Sequence, residues 1–421
     1  MKNIRAIVLA AGKGTRMISE IPKVMHPICG KPMLQYVLDI ARDAGSLKTY
    51  VVVGHKSQWV KGYLPKDCVA VEQPKLLGTA DAVRRVENRL RGFRGDVLIL
   101  CGDTPLLKKG IIKDLLRKHK NSKAAGTFLT TVVHDPFGYG RVIRDEKKNV
   151  AAIREEKDAV GYEKDIAEIN VGVYCFQSRE LFGALKEIKL NAKKREFYLT
   201  DIIELFAQKN LVIKTIETED AAEGQGINTR EDLARAEALM RQRILKDFML
   251  QGVTIIDPST TFIDENVKIG VDTVVQPFTY IEKDVRIGHH CRIGPFARLR
   301  MGTRLGNHVE IGNFTEVSRA KVGDKTLMKH FSFIGDALVG PRVNIGAGVI
   351  TANFDGKDKN TTRIAANSFI GSNTVLVAPV KIGKRVMVGA GSVVTRGRTI
   401  PDNSVVYGVP AKIVSRVQSH R

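Results

Sequence analysis

Four short stretches of the chain carry side chains able to do chemistry. The first, Leu9-Ala-Ala-Gly-Lys-Gly-Thr-Arg-Met17, brings two glycines, a lysine and an arginine together. Glycines let backbone N–H groups approach a phosphate or a base edge, while Lys13 and Arg16 supply positive charge. The stretch matches neither the GxxxxGK[ST] phosphate loop nor the GxGxxG dinucleotide loop, where Met17 takes the place of the third glycine. Alone, it is either a nucleotide loop or a tight turn from strand to helix. Lys23 follows in Ile21-Pro-Lys-Val-Met-His26, and Asp103 closes the apolar run Asp96-Val-Leu-Ile-Leu-Cys-Gly-Asp103. A carboxylate at a strand end either caps a helix or ligates a divalent cation. Phosphoryl transfer needs both a cation and a metal, because its catalysis is mostly positioning and charge neutralisation. The fourth stretch, Leu327-Met-Lys-His-Phe-Ser-Phe-Ile-Gly-Asp336, sets one imidazole, His330, inside a repetitive region.

These side chains need elements to hold them. From residue 1 to about 228, short apolar runs alternate with stretches of helical spacing. Strands are predicted over residues 4–10, 49–53, 96–101 and 168–176, and helices over 33–44 and 79–90. That alternation predicts a mostly parallel α/β sheet covered by helices on both faces. The glycine loop then falls at the carboxyl edge of the sheet, where such folds bind ligands. Residues 229–252 are rich in helix formers, with Asn228 or Thr229 as the N-cap and acidic residues in the first turn, which predicts a linker helix.

Beyond Gly252 the period becomes six. Ile263, Ile269, Val275, Ile281, Ile287 and Ile293 stand six apart, and Leu305 and Ile311 continue the register. It resumes after slips at Val339 and Ile345, then at Ile370, Ile382 and Val388. A hexapeptide repeat of this kind predicts a parallel β-helix over residues 253–421. The one polar interruption, residues 353–363, is expected to be an excursion loop, where repeat scaffolds display binding groups.

Composition sets the outer limits. A chain of 421 residues is long for one core and suggests two domains. No apolar run approaches the ~18 residues of a membrane helix. The basic, apolar N-terminus runs into Gly-Lys-Gly rather than a small-residue cleavage site, so a cytoplasmic protein without membrane insertion is expected. Cys29, Cys68, Cys101, Cys175 and Cys291 are scattered, which suggests neither a zinc site nor a disulfide framework. The formal charge of +22 invites polyanionic partners. The basic residues are nevertheless spread along the chain and aromatics are only 6%, which points to a solvated surface and small anionic substrates rather than nucleic acid.

The stretches LAAGKGTRM, PKVMHPICGKPM, EQPKLLGTADAV, CGDTPLL, PFGYGRVIR, REEKDA, EINVGVYCF and FYLTDII follow in that order. Together they resemble the pyrophosphorylase domain of the bacterial bifunctional GlmU family, which joins an N-acetylglucosamine-1-phosphate uridyltransferase to a glucosamine-1-phosphate N-acetyltransferase. The fused hexapeptide region fits the same family, so the resemblance covers nearly the whole chain. It implies a Rossmann-like nucleotidyltransferase domain over 1–228, a linker helix over 229–252 and a left-handed parallel β-helix acyltransferase domain over 253–421. It also implies a homotrimer formed through the β-helix, with acyl-CoA sites between subunits.

The resemblance further implies roles for matching residues. Leu9, Ala10, Ala11, Gly12, Gln73, Gly78 and Thr79 would hold the uridine of UTP, with Arg16 and Lys23 facing its triphosphate. Gly140, Glu155 and Asn170 would contact the N-acetylglucosamine part, while Asp103 and Asn228 would ligate Mg²⁺. His330 would be the general base of acetyl transfer from acetyl-CoA, a task suited to an imidazole titrating near neutrality. Ala347 would offer its N–H to the oxyanion. Arg300, Asn344 and Lys359 would bind the amino-sugar 1-phosphate, and Asn353, Ser372 and Ala390 the acetyl-CoA. Four positions depart from the family pattern. Cys101 and Phe333 replace tyrosines, Ser318 a phosphate-binding lysine, and Gly408 an arginine. The expectation is a bifunctional enzyme of UDP-N-acetylglucosamine synthesis. The alternative keeps the uridylyl transfer alone, with a β-helix that acetylates another acceptor or serves as a trimerising scaffold.

Overall fold

The computed structural model describes residues 3–191 and 195–416. The chain divides into two compact units, residues 1–236 and 237–421. Among the described residues, no helix is long and apolar enough to cross a membrane.

The first unit is built on one mixed sheet. Its strands are β1 (Ile4–Ala10), β2 (Thr49–Val53), β3 (Cys68–Glu72), β4 (Asp96–Cys101), β5 (Gly126–Val132), β6 (Arg141–Arg144), β7 (Val150–Arg154), β8 (Glu168–Gln177) and β9 (Ile213–Glu217). The main path runs β9-β5-β8-β4-β1-β2-β3 and is parallel except for β8, which pairs antiparallel with both neighbours. The central strands read as unbroken apolar runs because both of their faces are covered. Ile7, Val52 and Ile99 join one buried cluster, and Val8, Val51 and Leu98 join the other. Helices α1 (Met33–Asp43), α2 (Ser57–Tyr63), α3 (Thr79–Arg84), α4 (Lys109–Ser122), α5 (Ser178–Leu185) and α6 (Asp201–Gln208) supply the covering layers. The helix expected over 79–90 is two pieces: α3 ends at Arg84, and a 3₁₀ turn over Glu87–Leu90 follows.

Helix α7 spans Arg230–Leu250. Its start is a reciprocal cap: Asp232 N–H donates to Thr229 Oγ1 (3.1 Å), and Thr229 N–H donates to Asp232 Oδ2 (2.9 Å). Thr229, not Asn228, is therefore the N-cap. Toward the helix end, Leu245 and Phe248 are buried in the core of the second unit.

The second unit is a left-handed parallel β-helix whose short strands, among the described residues, stack into three sheets of ten, eight and eight. The hexad residues point inward, and Val275, Ile281, Ile293 and Ile370 are fully buried. Residues just outside them turn the corners with left-handed backbone, at Asn266, Asp272, Phe278, Asp284, His290 and Phe296, six apart. Bulky residues rarely adopt that conformation, but Phe278, Phe296 and Phe314 stack on successive coils at 4.8 and 5.0 Å. Such pairs contribute about 0.5–1.5 kcal/mol each. The slips in the repeat are uneven coils. Glu310, Leu327 and Asn344 pair in succession at 17 residues each, and Asn344 pairs with Phe369 25 residues on. The long coil carries the excursion loop, closed by a bridge between Phe354 and Lys359. At the last coil the chain folds back, and Lys412–Arg416 pairs antiparallel with Ser404–Tyr407.

Candidate active sites

The first site lies at the carboxyl edge of the parallel strands. Leu9 O accepts from Gly102 N–H (2.9 Å) and Ala11 O from His55 N–H (3.2 Å), so the segment after β1 is tied to the ends of β4 and β2. Ala10 and Ala11 are buried, while Lys13 and Arg16 are exposed. Nothing stands within 4 Å of where a Cβ at Gly12 would be. A cavity of about 500 Å³ opens here, bounded by Lys13, Gly54, His55, Gln73 and Leu76. Gln73 is buried, and its Nε2 donates to Gly78 O (3.0 Å) and Asp81 Oδ2 (2.9 Å). Both amide hydrogens are thus used, leaving the carbonyl oxygen as an acceptor. Gly78 has φ 100°, and a Cβ there would lie 2.5 Å from Phe197 O, so only glycine fits. Thr79 Oγ1 accepts from Leu199 N–H (3.0 Å).

Lys23 Nζ donates to Asp103 Oδ2 and to Asn228 Oδ1 (3.0 Å). This excludes the helix-cap reading of Asp103, since the next helix begins only at Lys109. Asn228 Nδ2 donates to Gly226 O (3.0 Å), which turns its oxygen toward the lysine. The two oxygens therefore already converge on one cationic group. Hard oxygen donors, two from the protein and the rest from phosphate and water, are what Mg²⁺ prefers. Among the described residues no cluster of three or more His, Cys, Asp or Glu could hold a metal, in keeping with so spare a donor set.

Beside this pair, Gly140 O accepts from Asn170 N–H (2.8 Å). Asn170 Oδ1 accepts from Gly172 N–H (3.2 Å), and its Nδ2 donates to Tyr174 Oη (2.6 Å). Glu155 Oε1 accepts from Thr200 Oγ1 (2.9 Å), and Oε2 lies 3.7 Å from a Cβ position at Gly140. Gly140, Glu155 and Asn170 are thus neighbours. Cys101 lies within reach of Gly172 O (3.5 Å), and burial, aided by the Asp103 charge, pushes its thiol up to about 12. It is a neutral packing group there, not a nucleophile. Sequence reading missed Arg230, whose Nε donates to Met17 O (3.2 Å) and whose Nη1 meets His26 Nδ1 (3.2 Å). It ties the glycine loop to the start of α7, two residues beyond Asn228.

The second site follows from strand register. Leu327, Asn344, Phe369 and Met387 pair in succession. His330, Ala347, Ser372 and Ala390 each stand three residues beyond one of these, so the four occupy the same corner on consecutive coils. Coils rise about 4.8 Å, which makes this column about 14 Å tall. His330 is exposed, and Asn344 stands on the outer face just before the corner. The next sheet begins there, with Phe333 half-buried on its outer face. A Cβ at Gly335 would lie 2.7 Å from Phe333 Cζ and 2.9 Å from Asn353 Nδ2, so the ring covers that glycine beside Asn353.

On the preceding strands of the same sheet, Arg300 Nη1 pairs with Glu316 Oε1 (3.1 Å). Ser318 is fully buried and its Oγ has no hydrogen-bond partner among the described residues. It does not reach the surface. Arg319, on a left-handed corner, grips Asp336 through Nε (2.7 Å) and Nη2 (2.8 Å), and Asn353 Nδ2 also donates to Asp336. The Arg319 hydrogen bonds, with Asn353 and the nearby Lys359 charge, hold the Asp336 carboxyl below its usual range. Lys359 belongs to the excursion loop, whose Asp355 accepts from Lys357 N–H (3.0 Å), Asp358 N–H (2.7 Å) and Asn360 Nδ2 (2.9 Å) and pairs with Arg396 (3.0 Å). Those amide bonds hold Asp355 well below the usual carboxylate range.

Comparison with known proteins matches both units. Residues 6–202 fit the MobA-like NTP transferase domain, and residues 266–301 and 361–396 the bacterial transferase hexapeptide model of six repeats. Over 412 residues the chain is 43% identical to the bifunctional protein GlmU of Pelotomaculum thermopropionicum, covering 90% of each chain. It is 44% identical over 436 residues to that of Lactococcus lactis subsp. cremoris, covering 96% of this chain and 95% of the relative. With that of Shouchella clausii it shares 42% over 423 residues and 93% of each.

Proposed function

This chain belongs to the bifunctional GlmU family, and we propose that its two units act in turn on one amino-sugar phosphate. In the β-helix, the amine of glucosamine 1-phosphate attacks the carbonyl carbon of acetyl-CoA. His330 accepts the proton the amine loses, and the Ala347 N–H stabilises the oxyanion. The C–S bond then breaks, coenzyme A leaves as its thiol, and N-acetylglucosamine 1-phosphate is formed. Arg300, Asn344 and Lys359 bind the acceptor, while Asn353, Ser372 and Ala390 line the way for acetyl-CoA.

In the first unit, a phosphate oxygen of that product attacks the α-phosphorus of UTP in line, and the bond to the β-phosphate breaks to release pyrophosphate. Leu9, Ala10, Ala11, Gly12, Gln73, Gly78 and Thr79 hold the uridine, and Arg16 and Lys23 the phosphates. Gly140, Glu155 and Asn170 orient the sugar. Asp103 and Asn228 would hold Mg²⁺, whose charge offsets that of the phosphates.

The observation that carries the two-step reading is the single-corner column of His330, Ala347, Ser372 and Ala390. An acetyl-CoA assay that reads thiol release with glucosamine 1-phosphate tests it. The wild type should turn over, and His330→Ala should lose about 10²–10⁴-fold while keeping uridylyl transfer. No turnover by a wild type active on UTP would remove acetyl transfer. Turnover unchanged in His330→Ala would remove the base. Buried Ser318 and the missing hydroxyl at Phe333 favour a second reading, a different amine acceptor, which would show as faster thiol release with another amino sugar.

Apolar side chains on the outer faces of two sheets (Phe262, Tyr280 and Ile350; Phe369 and Met387) support self-assembly as a trimer. Light scattering on the eluting protein would report it.

A further inference from the structure

The third sheet of the β-helix has an outer face unlike the other two. Its outward residues pair strand over strand in the order Lys268, Arg286, Arg304, Lys321, Leu338, Arg363, Lys381 and Thr399. Six of these eight are basic, and all six are exposed. Seven rungs of about 4.8 Å make the row about 34 Å long.

Like charges directly opposite one another on paired strands are unfavourable. Several bases elsewhere on the β-helix have acidic partners. Arg298 pairs with Glu282, Arg300 with Glu316, Arg319 with Asp336 and Lys329 with Glu310. Among the described residues, no ion pair is formed by any of the six bases in the row. Two acids at its border are engaged with backbone, Asp324 accepting from Asn307 N–H (2.8 Å) and Asp402 from Lys384 N–H (2.7 Å). The row is therefore a stack of unneutralised cations held in register by a rigid sheet. Midway, where Leu338 interrupts it, an open trough of about 590 Å³ is bounded by Arg304, Lys321 and Arg363.

We propose that this face binds a linear chain of phosphates. The row is straight and one side chain wide, which suits an extended polyanion better than the plane of a membrane. It carries no aromatic ring on which a base could stack, so a nucleic acid strand would gain only its backbone contacts. The two apolar faces serve self-association, and three copies of this row could not converge on an axis without strong repulsion. The face consequently stays open to solvent in the assembled protein. This inference is independent of the acetyl-transfer and uridylyl-transfer readings.

The test uses the full-length protein and fluorescently labelled long-chain polyphosphate, followed by anisotropy across a salt series. Six contacts at about 0.7 counterion each predict a slope of log K against log salt of roughly −4. The variant R286Q/R304Q/K321Q should weaken binding at least about tenfold and roughly halve the slope, with both transferase activities unchanged. The control R292Q/R298Q, on the outer faces of the other two sheets, should bind as the wild type does. No binding by the wild type, or equal weakening in the control, overturns the proposal. Single-stranded DNA of equal charge binding as tightly, or sedimentation with anionic vesicles in place of polyphosphate binding, overturns it in favour of those partners.

Discussion

His330 and Phe333 lie three residues apart and carry opposite messages about the acceptor. The imidazole stands free on the surface at the foot of a column of small residues, a setting that leaves it room to meet an incoming amine. Phe333 brings a ring with no hydrogen-bonding atom to the adjoining face. We expect Phe333→Tyr to lower KM for glucosamine 1-phosphate about fivefold, the effect of one added hydrogen bond, without altering uridylyl transfer. Steady-state kinetics on both reactions checks it, and an unchanged or raised KM would mean the ring does not face the acceptor. Ser318 is instructive for a different reason. Its type suggested only a lost phosphate contact, but its complete burial shows that no side chain of that size could reach a ligand.

Two elements position these groups, and each makes a measurable statement. The excursion loop is organised by Asp355 rather than by apolar packing, so Asp355→Ala should free the loop and displace Lys359. Acetyl transfer should show KM for its acceptor raised about tenfold, roughly the value of a charge-assisted hydrogen bond network, with uridylyl transfer untouched. If KM holds, Lys359 is positioned by something else. In the first unit, Asp201 opens α6 beside Glu155. Burial, reinforced by Glu204 and Glu155, raises its carboxyl to about 6. Between the ordinary carboxylate value and about pH 6 the folded state therefore holds a proton that the unfolded state has lost. Stability falls as pH rises through that window, and the deficit is complete above it. Asp201→Asn should consequently melt higher than the wild type at pH 7.5, with the difference gone by pH 4. Equal melting at both pH values would refute the raised carboxyl.

At the scale of the molecule, two units with separate cores should unfold separately. Calorimetry is expected to resolve two transitions, one raised by UTP with Mg²⁺ and the other by acetyl-CoA, since each ligand stabilises only the fold that binds it. A single transition raised by both would show that the cores unfold together. What could be read beforehand follows the same division. The nucleotidyltransferase domain is legible because each of its motifs is local, and the β-helix because one apolar residue per face recurs every six. Thr229 as the cap, Arg230 on the glycine loop and the Arg319–Asp336–Asn353 network depend on pairings across many residues. The basic row was hidden by the coil that shortens from 18 to 17 residues between Arg304 and Lys321, which breaks the numerical period while leaving the stack in register.

A stack of parallel strands has no intrinsic length, and its last coil offers a ready template to the next molecule. Here the chain turns back on itself. Lys412–Arg416 runs against Ser404–Tyr407, and Val393 of the neighbouring sheet is closed by Gly408 O (3.0 Å) and Ala411 N–H (2.8 Å). At the opposite end, Leu245 and Phe248 of α7 plug the core. Two of the three sheets are thus closed within the chain at the last coil, and at the first coil side chains of α7 cover the core, which discourages one copy from stacking coil on coil onto the next.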